Sequence, residues 1–364
     1  MKNKNGIYWL KRDFRLKDNP ALTRALAECD RLTILYVVEP SMIDADETSH
    51  FHTDSICSAF NDLSRQLAKR SATLHWVEGE CVDTFDKLYR LQPFQALYSH
   101  IEIGNDRTYQ RDIEVARWCK QHAVTWHEEN QTGVFRRLQN RDVRAKMWRE
   151  FYYTPYFPIP SNTDFKSAQY VEPYQDFIKQ GELTIDYPPK GIIAKEYDLQ
   201  PVSESDGEET LHDFLYVRGI HYKGGISSPN TAFVAGSRLS VHLAWGTISG
   251  RYGYQMTNAR KAELKGLKDP EAKKWRGSLT AFTARLHWRD HFIQRLESEP
   301  QMEYLPLNSA YDALEYDDDP DKLCAWSQGM TGFPLVDACM RCLRQTGFIN
   351  FRMRALITSV GCHT

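Results

Sequence analysis

One predicted helix places two arginines and two aromatic residues on a single face. Arg285, Trp288, Arg289 and Phe292 follow one another at i, i+3, i+4 and i+7, the spacing that makes side chains neighbours on an α-helix. Two guanidinium groups interleaved with two aromatic rings can clamp phosphates and stack a base. An arginine packed on a tryptophan at a solvated helix edge has the same spacing, and the pattern alone does not choose between them.

Basic residues concentrate around this face, although the whole chain is nearly neutral. The net charge is −2, from 46 Lys and Arg against 48 Asp and Glu. Residues 251–295 contain eleven Lys or Arg and four Asp or Glu, and acidic residues in 196–213 and 312–321 offset this excess. Binding to a phosphate backbone requires a local basic patch of this kind.

A second candidate site is the sequence Gly-Ser-Arg-Leu-Ser at 236–240, which opens a predicted helix after a loop that contains glycines. Hydroxyls and free amide N–H groups at a helix start can bind an anion, and Arg238 adds positive charge. Most Gly-Ser helix starts serve only as caps, so the motif by itself supports either interpretation.

The familiar motifs of metal sites and of common enzyme classes are weak or missing. Cys339 and Cys342 have Cys-x-x-Cys spacing, but both lie on the apolar stripe of a predicted helix, so we predict buried thiols and no metal. His287 and His291 stand at i, i+4 without a third ligand. The chain has no G-x-S-x-G, Walker A or G-x-G-x-x-G motif, which argues against common hydrolases, NTPases and Rossmann dehydrogenases.

The elements that must position these residues differ between the two halves of the chain. In the first half strands are predicted at 6–10, 31–38, 73–77, 96–99 and 124–127, with helices at 20–28, 54–70, 84–91 and 109–122. This alternation predicts an α/β domain over residues 1–130, with a parallel, Rossmann-like sheet covered by helices on both faces.

The second half shows helical patterns without strands. Prolines and polar residues over 131–205 predict a long linker. Helical patterns at 211–218, 239–245, 248–265, 279–296, 320–328, 334–345 and 350–360 then predict an all-α domain over 206–364. A chain of 364 residues favours two or three domains, which agrees with this division.

Composition narrows the class of protein further. No apolar run is long enough to span a bilayer, no signal peptide is expected before Gly6, and eight cysteines indicate reduced thiols, so we expect a cytoplasmic protein. Phe, Trp and Tyr make up 12% of the chain, an excess that suits a planar ligand.

Four motifs, in the same order, resemble the photolyase/cryptochrome family. They are YWLKRDFRLKDNPAL at 8–22, GSRLS at 236–240, WRD at 288–290 and WSQGMTGFPLVDACMRCL at 326–343. The resemblance covers both halves and is weakest over 130–205. It implies an N-terminal α/β domain, a long linker and a helical FAD-binding domain, which agrees with the periodicity. The family's chains continue beyond the point where this sequence ends, so we expect a fragment, a truncated reading frame or a divergent member.

The resemblance also implies site residues. FAD would be held by Tyr222, Gly236, Ser237, Arg238, Leu239, Ser240, Phe282, Arg289, Phe348 and Arg354. UV-damaged DNA would be bound by Arg285, Trp288, Arg289, Phe292 and Arg352, with Trp288 stacking on a flipped-out pyrimidine dimer. Arg354 would lie against the flavin ring, and Tyr316 would serve in an electron relay. Asn105 and Asp106 would contact an antenna chromophore, a folate or a deazaflavin.

The implied activity is that of a monomeric DNA photolyase, which splits pyrimidine dimers by light-driven electron transfer from reduced FAD. Two departures favour other functions: the family's repair enzymes usually have Glu at the position of Arg285 and Asn at that of Phe351, both dimer contacts. Arginine has no acceptor atom and cannot replace the carboxylate. The alternatives are a cryptochrome-type blue-light receptor without repair activity and a nucleic-acid-binding fragment without photochemistry.

Overall fold

The alternating half of the chain forms a sheet of strand order β5-β4-β1-β2-β3-β6 in the computed structural model. The structure describes residues 4–138, 140–169, 173–186, 197–314 and 319–363. The strands are β1 (Asn5–Leu10), β2 (Arg31–Val38), β3 (Leu74–Glu78), β4 (Ala96–His100), β5 (Thr125–Glu129) and β6 (Lys179–Gln180). The first five are parallel to their neighbours, as predicted, and β6 pairs antiparallel with β3.

The sheet is buried on both faces, which explains why its central strands are continuous apolar runs. In β1, Tyr8 and Leu10 belong to one core cluster, and Ile7 and Trp9 to the other. The helices of this half are α1 (Pro20–Glu28), α2 (Pro40–Ile43), α3 (His50–Ala68), α4 (Cys81–Leu91) and α5 (Asp106–Gln121). The predicted α/β architecture with helices on both faces is confirmed.

The second half is helical, as predicted. Its helices are α6 (Arg144–Tyr153), α7 (Glu204–Asp213), α8 (Tyr222–Gly225), α9 (Ala232–Ala235), α10 (Ser240–Trp245), α11 (Gly250–Glu263), α12 (Pro270–Ser298), α13 (Pro320–Gln328), α14 (Pro334–Thr346) and α15 (Phe351–His363). No helix in the described ranges has both the length and the apolarity needed to cross a membrane.

Helix α12 is 29 residues long and carries most of the candidate site. Pro270 stands in its first turn, and the Asp269 carboxylate caps it by accepting a hydrogen bond from the Ala272 amide at 2.8 Å. Leu279, Phe282 and Leu286 are buried in the core of the helical half. Because one stripe of α12 is anchored in this way, the orientation of its other side chains is fixed.

Residues 131–205, predicted as a linker, contribute to both halves of the molecule. Helix α6 lies within this segment and buries Trp148 and Tyr152 in the helical core, and β6 adds a strand to the edge of the sheet. The domain limits at 130 and 205 stay predictions.

The loop between β1 and α1 joins the two halves. Asp18 accepts hydrogen bonds from Arg251 Nε at 3.0 Å and from the amide of Phe157 at 3.0 Å. Burial alone would raise the pKa of Asp18, but the hydrogen bond from Arg251 and the charge of Arg15 outweigh burial and lower it. Glu204 accepts from the Leu16 and Lys17 amides at 2.9 and 2.8 Å. These buried polar contacts hold the halves in one arrangement.

Candidate functional site

An exposed aromatic pair lies on α12. Trp288 is 49% exposed and Phe292 is 57% exposed, and their ring centroids are 5.8 Å apart with planes inclined by 30°. The His291 ring contacts both by its edge. Arg285, one turn before Trp288, is exposed and makes no hydrogen bond or ion pair with the described residues. The face therefore presents two aromatic surfaces and an unengaged guanidinium to solvent.

Arg289, predicted on the same face, is turned inward. Its Nη1 donates to Asp290 Oδ1 at 2.9 Å, and its Nη2 donates to the Leu243 carbonyl of α10 at 3.1 Å. The Asp290 side chain is completely buried, so the carboxylate holds Arg289 against the body of the helical half. The two arginines of the motif therefore have different surroundings.

The segment 236–240 is held in place through its carbonyl groups. Arg218 donates to the carbonyls of Gly236 and Ser237, the latter at 2.8 Å. Arg238 adopts a left-handed backbone with φ of 59°, and its guanidinium lies over the rings of Phe348 and Phe233 at 4.0 and 4.9 Å. Burial and the charge of Arg218 lower the pKa of Arg238, and no carboxylate of the described residues forms an ion pair with it.

A cavity of about 230 Å³ is bounded in part by the two rings over which the Arg238 guanidinium lies. Its lining includes Phe233, Phe348, Cys339, Cys342 and Asn350. The Asn350 amide nitrogen donates to the Ile226 carbonyl at 3.1 Å, whereas its Oδ1 is buried without a partner in the described part of the chain. Within the described ranges, no cluster of three or more His, Cys, Asp or Glu could hold a metal ion.

A second cavity of about 290 Å³ lies between the two halves. Ser240 and Arg289 line it from the helical half, and Arg12, Arg15 and Glu102 line it from the sheet side. Ser240 and Arg289 line this cavity, whereas Phe348 lines the cavity described before it. The predicted cofactor residues are therefore distributed over two cavities.

Tyr222 and Phe282 line neither of these two cavities. They pack edge to face at 5.8 Å in the helical core. Burial raises the pKa of Tyr222 to about 12, and the charge of Arg285 opposes this rise. Leu239 is also buried in this core.

The residues present fit FAD. Arg238 Nη1 is a buried donor and Asn350 Oδ1 a buried acceptor, and neither has a partner among the described residues. Buried polar groups are normally satisfied, so an unpaired donor and an unpaired acceptor beside two aromatic rings indicate a ligand that carries polar groups on a planar ring system. A nucleotide cofactor with phosphates meets this description.

The remaining predicted residues lie on or near α15. Arg352 and Arg354 are exposed there, and Arg354 Nη2 donates to the Ile349 carbonyl at 3.5 Å. Phe351, at the position where the family's repair enzymes have Asn, is 70% exposed. The electron-relay prediction for Tyr316 lies outside the described residues.

A third cavity, of about 230 Å³, opens at the carboxyl ends of β1, β2 and β4. The predicted antenna residue Asn105 lines it and caps α5 by accepting from the Thr108 amide at 3.2 Å. Asp106 is absent from this lining, and its amide donates to Glu303 Oε2 at 2.7 Å.

Sequence reasoning did not identify the charged residues of this third cavity. Arg111 donates to Glu39 at 2.9 Å and to Glu102 at 2.6 Å. Glu39 Oε2 is buried near the Cys81 thiol without a nitrogen or oxygen donor, and burial raises the pKa of Glu39 despite Arg111. A signal was available: Arg12, Glu39 and Glu102 each follow a strand, and ligands of parallel sheets bind at the carboxyl ends of the strands.

Two family models match the sequence. One, described as DNA photolyase, matches residues 6–154, and the other, the FAD binding domain of DNA photolyase, matches residues 282–364. Cryptochrome-1 of Sylvia borin is 21% identical over 378 residues, and cryptochrome-2 of Gallus gallus is 22% identical over 369. Each alignment covers 96% of this chain, which spans 57% and 61% of the length of these two relatives.

Solved structures share the fold. A class III photolyase from Agrobacterium tumefaciens has a TM-score of 0.75 at 21% identity, over 99% of this chain and 72% of that one. A cryptochrome from Synechocystis has a TM-score of 0.76 at 20% identity, over 99% and 75%. An archaeal photolyase from Sulfolobus tokodaii, solved with two FAD molecules, has a TM-score of 0.69 at 21% identity, over 97% and 73%.

Proposed function

Because this chain belongs to the photolyase/cryptochrome family, we propose that it binds FAD and repairs UV-induced pyrimidine dimers in DNA under blue light. The arrangement of α12 carries the proposal. Arg289 on this helix reaches a cavity, while Trp288 and Phe292 present aromatic rings to solvent. One rigid helix thus connects the candidate cofactor region with a surface suited to nucleic acid.

The residues around two cavities would hold FAD. Ser240 lines one cavity and offers a hydroxyl to phosphates, and the preceding Ser237 and Arg238 would add a hydroxyl and a cation. Asn350 lines the other cavity and offers an amide acceptor to a ring edge. Phe233 and Phe348 offer aromatic surfaces. When bound, FAD supplies the light-driven one-electron chemistry, and the protein contributes position and electrostatics.

DNA would meet the exposed face of α12 that carries Trp288 and Phe292. Trp288 would stack on a dimer that has left the base stack, with the exposed Arg285 beside it, and the exposed Arg352 would bind a backbone phosphate. The chain would act as a monomer. A cytoplasmic location is supported by its eight cysteines, all of which carry free thiols.

A cryptochrome-type receptor without repair activity is the second candidate. Arg285 supports it, because a guanidinium cannot accept the hydrogen bond that the repair enzymes' Glu accepts. The two curated relatives described above also carry the name cryptochrome.

The cavity at the end of the sheet would hold an antenna chromophore, a folate or a deazaflavin. Asn105 lines it, and Glu39 offers a carboxyl oxygen that accepts from no nitrogen or oxygen donor of the described residues and could accept from an N–H or O–H group of the ligand. The Sulfolobus tokodaii structure has two FAD molecules and is described as implying a novel light-harvesting cofactor.

The first experiment is the visible spectrum of the purified chain before and after addition of FAD. We expect a bound-flavin spectrum, weakened in Arg238→Ala, because that variant removes a cation with an unpaired donor. Illumination with a reductant and a dimer-containing oligonucleotide should then remove the dimer. Bound flavin with a persistent dimer would instead support the receptor, and a chain that never binds flavin would support the non-photoactive nucleic-acid-binding fragment.

A further inference from the structure

Among the arginines of α12, Arg285 differs in having no hydrogen-bond or ion-pair partner in the described part of the chain. Arg289 is tied to Asp290 at 2.9 Å, and Arg295 is paired with Glu299 at 3.6 Å. Arg285 is exposed and forms no hydrogen bond or ion pair with any residue the structure describes. Its five N–H donors are therefore free to bind a ligand at this face.

The ligand must also suit the aromatic pair beside Arg285. Trp288 and Phe292 lie side by side with centroids 5.8 Å apart, and both are about half exposed. Every base has a π-face that stacks on such rings, but the bases of an intact duplex are already stacked and their pairing edges are occupied. Single-stranded nucleic acid presents both the faces and the edges of its bases.

The edge that faces Arg285 must carry acceptors, because guanidinium has only donors. Guanine offers N7 and O6 as adjacent acceptors, the edge that arginine binds most often. Cytosine offers O2 and N3 as adjacent acceptors on its pairing edge. Thymine places the N3–H donor between its two carbonyls, so a two-pronged guanidinium meets a donor there.

We propose that the Arg285, Trp288 and Phe292 face binds single-stranded nucleic acid and prefers unpaired cytosine and guanine to thymine. A base stacks on Trp288, and its acceptor pair receives two hydrogen bonds from Arg285. Arg285 stands three residues before Trp288, so the two side chains are neighbours on the same face of the helix. This inference rests on the proposed function in one respect, since both require that this face of α12 binds nucleic acid.

The test is fluorescence anisotropy with labelled single strands, in the dark and without added flavin. The probes are oligo-dC, oligo-dT and oligo-dT with one central guanine. We expect the strands that contain cytosine or guanine to bind about fivefold or more tightly than oligo-dT. Trp288→Ala should lower the affinity for all probes by the same factor, whereas Trp288→Phe, which keeps an aromatic ring, should retain most of the affinity.

Variants of Arg285 separate base reading from simple charge attraction. Arg285→Lys keeps the positive charge but lacks the planar fork, so it should bind all strands with little preference. Arg285→Gln should also lose the preference and bind more weakly. Arg117→Gln, which changes an exposed arginine on α5, should alter neither the base preference nor the affinity.

Three results would overturn the proposal: equal affinity for oligo-dC and oligo-dT, a preference that survives Arg285→Lys, or binding confined to duplex DNA. None of them bears on flavin binding or dimer splitting, which the spectrum and the illumination assay measure separately. Loss of photochemistry with base preference intact would overturn the repair function alone.

Discussion

A single buried carboxylate, that of Asp290, organises the candidate site at the scale of one residue. Asp290 Oδ2 accepts from the Gly133 amide at 3.0 Å, Trp148 Nε1 at 3.0 Å and the Tyr152 hydroxyl at 2.7 Å, and Oδ1 accepts from Arg289. Burial and the charge of Asp290 raise the pKa of Tyr152, which keeps its hydroxyl protonated as a donor. Asp290 thus fixes the side chain of Arg289, the residue that directly follows the exposed Trp288.

Asp290→Asn should destabilise the protein by about 3–5 kcal/mol, because it leaves the half-buried Arg289 without its counter-charge and gives the other donors a weaker acceptor. Urea denaturation followed by tryptophan fluorescence measures this. Tyr152→Phe is the matched control, since it removes one donor and should cost about 1 kcal/mol. An Asp290→Asn protein as stable as the parent would show that Asp290 does not organise the site.

At the scale of elements, a buried charge network fixes α5 to the strand ends. Asp112 of α5 accepts from Lys11, which follows β1, at 3.1 Å and from Arg136 at 2.9 Å. Burial alone would raise the pKa of Asp112, but the charges of Lys11 and Arg111 dominate and lower it from 3.8 to about 2. The carboxylate form therefore stabilises the folded state.

This shift predicts the direction of the acid dependence. Because the folded-state pKa of Asp112 is depressed, its contribution is complete above about pH 4 and is lost as the pH falls towards about 2. The contribution is about 2 kcal/mol. Urea titrations at pH values between about 4 and about 2 measure the free energy of unfolding, and in Asp112→Asn this free energy should fall less steeply with falling pH than in the parent. A slope as steep as that of the parent would refute the assignment.

At the scale of the whole molecule, the two halves are joined by the buried ion pair of Asp18 and Arg251. Their side chains are 2% and 5% exposed, and they lie 233 residues apart in sequence. A buried pair of this kind adds little net stability compared with apolar side chains of the same volume, but loss of one partner leaves an unpaired buried charge.

Asp18→Asn should therefore destabilise the protein by about 3–5 kcal/mol and loosen the interface between the halves. Differential scanning calorimetry should show a lower or split transition. Lys146→Gln, which removes an exposed i,i+4 pair with Glu150, is the control and should change stability by less than about 1 kcal/mol. Equal effects of the two variants would contradict this role for the buried pair.

Local pattern alone predicted much of the fold. Helix α1 and strand β2 begin and end where the pattern indicates, at Pro20–Glu28 and Arg31–Val38. Pro20 after the Asn19 cap marks a helix start, and a continuous apolar run marks a strand buried on both faces. The buried stripe of α12, with Leu279, Phe282 and Leu286, was predictable because helical periodicity depends only on neighbours in the chain.

Only the tertiary structure decided which side chains meet. The spacing of Arg285 and Arg289 is the same whether a guanidinium points to solvent or into the protein, and it was Asp290 and the Leu243 carbonyl that turned Arg289 inward. Glu39 follows β2 and Glu102 follows β4, and they come together because parallel strands end at one edge of a sheet. Arg111 of α5, 72 residues after Glu39, then bridges the two carboxylates. Sequence determined the elements through local periodicity and caps, whereas the cavities arose from packing between distant segments, which no local pattern encodes.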